Sequence, residues 1–363
     1  MKICHSVNEI DVSRDMWQTL KDSTKPIVMY GMGNGADKIL AVFSEKGIEV
    51  SDFFASDGFV RHQLFHGKTV MSYAEICEKY KDFTVVVSFG SRLPDVLECI
   101  YRIDSERELY IPDVPVVDGE VFDLDFFKKH REELAAACEL LADDLSKQTF
   151  CDVVMYKLTG SLKYLRRHTV TPDDVMRGVL NAGKYRECAD LGAYNGDSIR
   201  ELAEYAELSR VTAFEPDFRN YKKLRTFAES APYKITACNC AAWDREEMLS
   251  FTAGANRNST LMGDVGVKTG AKIKTVAAAR LDSLHMGKCD YIKYDVEGAE
   301  YEAILGSREI IAKERPDLLV SMYHRSEDMY RLPLLVSELG YKKLYLRRYE
   351  YVPAWDLNLL AVK

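Results

Sequence analysis

The sequence predicts an α/β protein of two units, a small Rossmann-like sheet followed by a larger doubly wound sheet with an antiparallel edge. Three observations carry this. Apolar strand-like runs twice pass straight into glycine turns and amphipathic helices. A stretch free of glycine and proline separates the two series. The chain then closes on two strand patterns with no helix between them, as an edge hairpin requires.

The first unit spans residues 1–120. Pro26-Ile27-Val28-Met29-Tyr30 reads as a strand, and Gly31-Met32-Gly33-Asn34-Gly35 turns it into a helix with Ile39, Leu40 and Phe43 on one face. Residues 48–54 and 84–89 supply further strands. A helical linker over 121–170 follows. Phe127, Leu134, Cys138, Leu141 and Leu145 repeat at spacings of seven, four, three and four, which predicts one long helix over 125–148. The second unit, 171–363, opens with Thr171-Pro172-Asp173-Asp174, a helix cap with proline at the first helical position. Strands are expected at 187–191, 210–214, 234–238, 290–294 and 317–323, with a closing pair at 341–349 and 358–362.

Composition excludes several classes. The 363 residues are 47% apolar and 29% charged, ordinary for globular domains. With 49 basic and 57 acidic side chains the net charge is −8, which argues against backbone-driven nucleic-acid binding. No apolar run approaches a bilayer span, and the N-terminal residues do not read as a signal peptide, so a soluble cytoplasmic protein is expected. Nine scattered cysteines without a CxxC fit reduced thiols. His62 and His66 are four apart, but Gln63 stands where a metalloprotease helix needs glutamate, and no metal is expected.

Three motifs carry chemistry. Asp190-Leu191-Gly192-Ala193-Tyr194-Asn195-Gly196-Asp197-Ser198 is a strand, a glycine turn and a helix start. Gly192 allows close backbone approach to a ligand, and the Asp190 carboxylate suits an ammonium group. Twenty-five residues on, Glu215 ends the second strand, where this kind of fold holds ribose hydroxyls. The turn is not GxGxxG, so a nucleoside without a pyrophosphate is indicated. Third, Asp295, Glu297 and Glu300 follow the strand Tyr291-Ile292-Lys293-Tyr294 at the same sheet edge. They suit a base, a substrate anchor or a divalent cation, with Glu300 read as a helix cap or solvated side chain.

Together with Phe214-Glu215-Pro216-Asp217, Ala241-Ala242-Trp243-Asp244 and Arg280-Leu281-Asp282-Ser283-Leu284, these motifs resemble the FkbM family of S-adenosylmethionine-dependent methyltransferases over about residues 172–363. One departure is that Tyr194 stands where the family commonly has asparagine, with Asn195 next. The resemblance implies a class I methyltransferase fold. It implies cofactor contacts from Asp190, Gly192, Ala193, Tyr194, Asn195, Gly196, Ser198, Glu215 and Asp295, and methyl transfer to oxygen, often a sugar hydroxyl. His324, at the end of a strand beside Asp295, or Asp295 itself, is the expected base, with Glu297 orienting the acceptor. Asn258-Ser259-Thr260 is a polar loop that either contacts substrate or is only a loop. The acceptor is expected to be a sugar or glycoconjugate precursor; the alternatives are a small secondary metabolite, a lipid-linked substrate, or cofactor binding without turnover. For the first unit, a nucleotide or nucleotide sugar stands beside a scaffold that binds nothing. A homodimer is the expected assembly.

Overall fold

The structure, a computed structural model, describes residues 4–117, 119–252, 260–261 and 273–363. In the first sheet β1 (Ile27–Tyr30) leads into α1 (Asn34–Lys46), then β2 (Asp52–Phe54), β3 (Leu64–Phe65), β4 (Lys68–Met71), β5 (Thr84–Val87), α2 (Pro94–Glu106) and β6 (Glu108–Tyr110). The strand order is β3-β4-β2-β1-β5-β6, parallel except for the β3–β4 hairpin. Both faces of β1 and β5 are buried, which is why they read as continuous apolar runs.

The single helix expected over 125–148 is three: α3 (Leu124–Lys129), α4 (Arg131–Glu139) and α5 (Asp144–Thr159). The apolar spacing is real, since Phe127, Leu134, Cys138 and Leu141 are all buried. The chain breaks because His130 leaves helical geometry and because Asp143, in extended conformation, caps a new helix by accepting from Ser146 N at 2.8 Å.

The second unit contains β7 (Glu187–Leu191), α6 (Asp197–Ala203), β8 (Arg210–Phe214), α7 (Phe218–Ser230) and β9 (Lys234–Cys238). An excursion follows, formed by β10 (Ala241–Ala242), β11 (Glu247–Thr252), β12 (Thr260–Leu261) and β13 (Ile273–Ala279), a four-stranded sheet that the periodicity did not reveal. Then come β14 (Tyr291–Tyr294), α8 (Glu300–Leu305), β15 (Asp317–Ser321), α9 (Asp328–Glu338), β16 (Lys343–Arg348) and β17 (Leu357–Val362). The main sheet runs β9-β8-β7-β14-β15-β17-β16, with β17 antiparallel to both neighbours. Strand order reverses between β7 and β14, and a crevice opens at the carboxyl ends of such a pair.

The two sheets are not independent. One apolar cluster runs from Val28 and Val85 through Leu134 and Phe150 to Val320 and Leu346. Ser91 and Val352 exchange backbone hydrogen bonds of 2.8 and 3.0 Å, and Val116 N donates to His324 O at 3.1 Å. Arg347 pairs with Asp143 at 2.6 Å, tying β16 to the cap of α5.

Candidate active site

A cavity of about 370 Å³ lies over the β7–β14 switch point. Of the residues expected to touch a cofactor, Asp190, Gly192, Tyr194, Ser198, Glu215 and Asp295 line it, and Glu297 lines it too. Ala193, Asn195 and Gly196 do not. Ala193 is packed in an apolar cluster with Ile199 and Leu224. Gly196 has φ +86°, and a Cβ there would come within 2.5 Å of the Phe227 ring, so it serves the turn. Asn195 uses its carbonyl to accept from Arg200. The Asn258-Ser259-Thr260 loop lies outside the described residues except for the backbone of Thr260.

Gly192 holds the two halves of the switch point together. Its φ is +92°, and a Cβ would sit 1.9 Å from the Asp295 carbonyl oxygen. The turn after β7 thus rests directly on the loop after β14. Tyr194 and Glu297, both facing the cavity, adopt left-handed φ of +47° and +54°. Such backbone is uncommon outside glycine and costs about 1 kcal/mol or more per residue, so the surrounding packing must enforce it.

Asp190 accepts from Ser198 Oγ at 2.5 Å through one oxygen. The other, Oδ1, is buried with no hydrogen-bond partner among the described residues, 4.0 Å from Lys293 Nζ. Burial raises its pKa. Glu215 is buried too, accepts from Asp217 N at 2.7 Å, and is pushed by burial to about 7. Two buried carboxylates with spare acceptor capacity, at the ends of adjacent strands, fit a ligand that brings hydroxyl and ammonium donors.

Beyond β14 the charges interlock. Lys293 Nζ lies 3.0 Å from Asp295 Oδ2. Tyr323 donates to Asp295 Oδ1 at 3.4 Å. His324 is 1% exposed and does not line the cavity; it sits behind the carboxylates. Its Nδ1 is 3.0 Å from Glu300 Oε1, and its Nε2 is 3.6 Å from Glu297 Oε2 and 3.8 Å from Asp295 Oδ1. Burial opposes the charge on this imidazole, but Glu300, Glu297 and Asp295 outweigh it and raise the pKa to about 10. At neutral pH both ring nitrogens carry protons, leaving no lone pair to accept another. The expectation of His324 as base does not suit this geometry. Asp295 is raised by burial, but Lys293 and His324 prevail and hold it below the usual carboxylate range. Glu297 is pushed by burial to about 7. Asp295, Glu300 and His324 also place donor atoms within 4.8 Å of one another, spacing a cation would tolerate, although the imidazolium itself already supplies positive charge there.

Sequence reasoning missed two of these roles. Glu300 is not solvated: it is fully buried, accepts from Val296 N at 2.8 Å and pairs with His324. Lys293 stands opposite Asp190 in the β7–β14 register and shares a strand face with Asp295. A lysine within the otherwise apolar run Tyr291–Tyr294 was the signal available. For the first glycine turn, packing supplies a reason for two residues. A Cβ at Gly31 would meet Phe89 at 2.6 Å, and one at Gly35 would meet Ser88 O at 2.2 Å.

A seven-stranded sheet of this order, with an acidic crevice at its switch point, is the fold of class I S-adenosylmethionine-dependent methyltransferases. Residues 190–343 match the family described as the Methyltransferase FkbM domain. Residues 190–343 therefore form an FkbM methyltransferase domain, and the protein is a methyltransferase that uses S-adenosylmethionine. The fold agrees with a crystal structure of methyltransferase FkbM from Methylobacillus flagellatus KT, with TM-score 0.70, 20% identity, and coverage of 95% of this chain and 92% of that one. An rRNA methylase from Streptococcus thermophilus aligns with TM-score 0.34 and 11% identity over 53% of this chain and 97% of its own. The N-terminal domain of human METTL16 in complex with SAH aligns with TM-score 0.29 and 13% identity over 51% and 66%. No curated protein matches the chain. No helix among the described residues is long and apolar enough to cross a membrane.

Proposed function

We propose that the protein transfers a methyl group to a hydroxyl oxygen of a sugar or glycoconjugate precursor, and that Glu297 is the base. The observation carrying this is the pair of unlike carboxylates at the end of β14. Lys293 and His324 hold Asp295 below the usual carboxylate range against the effect of burial, whereas burial pushes Glu297, beside it, up to about 7. A base works best with a pKa near the operating pH, so Glu297 suits proton removal from an alcohol and Asp295 suits anchoring the acceptor. These roles invert the sequence expectation. His324, held by Glu300, is a positioning residue that fixes both carboxylates.

When bound, S-adenosylmethionine supplies an electrophilic methyl group. Asp190 suits its ammonium group and Glu215 its ribose hydroxyls, with the Gly192 turn giving close backbone approach. Tyr194 and Tyr323 add aromatic surface to a polar lining, which favours a sugar acceptor. We place the enzyme in a reducing compartment such as the cytoplasm, supported by nine free cysteines. We further divide the chain into units 1–120, 121–170 and 171–363.

The test is transfer of labelled methyl from S-adenosylmethionine to a panel of free sugars, sugar nucleotides and lipid-linked sugars, with wild type and Glu297→Gln. The proposal expects a sugar acceptor and a loss of roughly 10²–10⁴-fold in turnover for the variant, with cofactor affinity retained. Undiminished turnover in Glu297→Gln would remove it as the base.

A further inference from the structure

We infer that Arg92, carried by the first unit, binds the carboxylate of the cofactor's methionine moiety, so that the methyltransferase site is completed across the junction of the two halves. This rests on the cavity being the S-adenosylmethionine site.

The lining of the cavity is rich in carboxylates, and among its described residues Lys293 and Arg92 are the cations. Lys293 is already committed, 3.0 Å from Asp295 and 4.0 Å from Asp190. Arg92 is exposed and has no hydrogen-bond or ion-pair partner among the described residues. The ligand carries two positive centres, sulfonium and ammonium, and one carboxylate. The acidic lining answers the first two. The carboxylate requires a cation or a set of N–H donors, and a guanidinium fork offers both in a geometry that matches it.

Strand order puts Arg92 at the appropriate end. Glu215 ends β8, on one side of β7. On the other side stand β14, β15, β17 and β16, and the loop joining β16 to β17 carries Val352. Ser91 is bonded to Val352 in both directions, so Arg92 enters the cavity from the side opposite the ribose residue. An extended nucleoside with an amino-acid tail has its two ends placed in this way.

The backbone beneath Arg92 is fixed although its side chain is exposed. Ser91 Oγ accepts from Leu93 N at 3.1 Å, and Gly90 is packed so closely that a Cβ would lie 2.5 Å from Trp355. Arg92 and Glu201 share the lining; burial raises the pKa of that carboxylate, and Lys293 and then Arg92 work against the rise, so the arginine's field reaches into the cavity.

Calorimetric titration of S-adenosylmethionine and of its decarboxylated analogue, into the full chain and into Arg92→Ala and Arg92→Lys, tests the inference. Wild type should prefer the intact cofactor by about tenfold, as expected for a charge-assisted hydrogen bond. Arg92→Ala should lose about tenfold for the intact cofactor only and bind the two ligands alike, with an unchanged melting temperature. Arg92→Lys should fall between. An Arg92→Ala variant that binds S-adenosylmethionine like wild type, or loses affinity equally for both ligands, overturns the role of Arg92 and leaves the cofactor site standing. Wild type that binds neither ligand overturns the cofactor reading and this inference with it.

Discussion

Replacing His324 by glutamine removes the buried positive charge behind Asp295 and Glu297 while keeping most of the volume. His324 Nε2 is 3.6 Å from Glu297 Oε2. At an effective dielectric of about 20, unit charges at that distance interact by about 4.6 kcal/mol, or roughly three pKa units. The Glu297 side chain is 32% exposed, so water screens part of this, and a shift of about one to two units is the realistic expectation. The sign is fixed: the imidazolium favours the carboxylate, and its loss raises the Glu297 pKa further above about 7. If Glu297 must be ionised to take a proton, the acidic limb of kcat/KM against pH moves from near 7 to about 8 or 9. The assay is methyl transfer to the acceptor found in the sugar screen, between pH 5.5 and 10. Superimposable limbs for His324→Gln and wild type would refute the coupling. A uniform drop at every pH would refute it too, since that reports lost structure rather than a shifted proton.

Other expectations follow from the same geometry. Glu215→Ala should weaken S-adenosylmethionine binding by about 10- to 100-fold in calorimetry, because ligand hydroxyls lose a charged acceptor. Gly192→Ala should lower the melting temperature by several degrees, since its Cβ would fall 1.9 Å from the Asp295 carbonyl oxygen. In a thermal-melt series the wild type should lose stability as pH rises towards about 10. The His324 proton is held more tightly in the folded than in the unfolded chain, so its contribution is complete below about 6.5 and fades through the folded pKa. His324→Gln should lack that component of the decline.

What could be read from the sequence were features whose cause is local. Strands β7, β8 and β9 fall on the expected 187–191, 210–214 and 234–238, because each is an apolar run ended by a turn residue or an acid. The glycine turn after β7 was equally legible, and Gly192 takes positive φ there. The break at His130 was not, because the apolar repeat continues across it and only the backbone dihedrals of that residue leave the helix. The sheet formed by β10 to β13 was missed because β10 and β12 have only two residues each and β10 pairs parallel with β13 across the excursion. The state of His324 was beyond sequence for another reason. Its charge depends on Glu300, Glu297 and Asp295 converging on one buried ring, and no local pattern encodes that convergence.

The junction between the units changes what the first sheet is for. Its glycine turn needs no ligand to account for Gly31 and Gly35, whose missing side chains make room for Phe89 and Ser88. Yet its loops reach the second unit's site at separate points. Val116 N bonds the carbonyl of His324, Val117 packs where a Cβ on Gly298 would lie, and Ser91 locks onto the loop between β16 and β17. These contacts border Asp295 and Glu297 on one side and the cavity on the other. Lys38 donates to the carbonyl of Val116. The first unit therefore buttresses the loops around the cavity, whether or not it binds anything of its own. Removing it would strip support from the loop that holds Glu297 in left-handed backbone, a conformation that only the surrounding packing sustains.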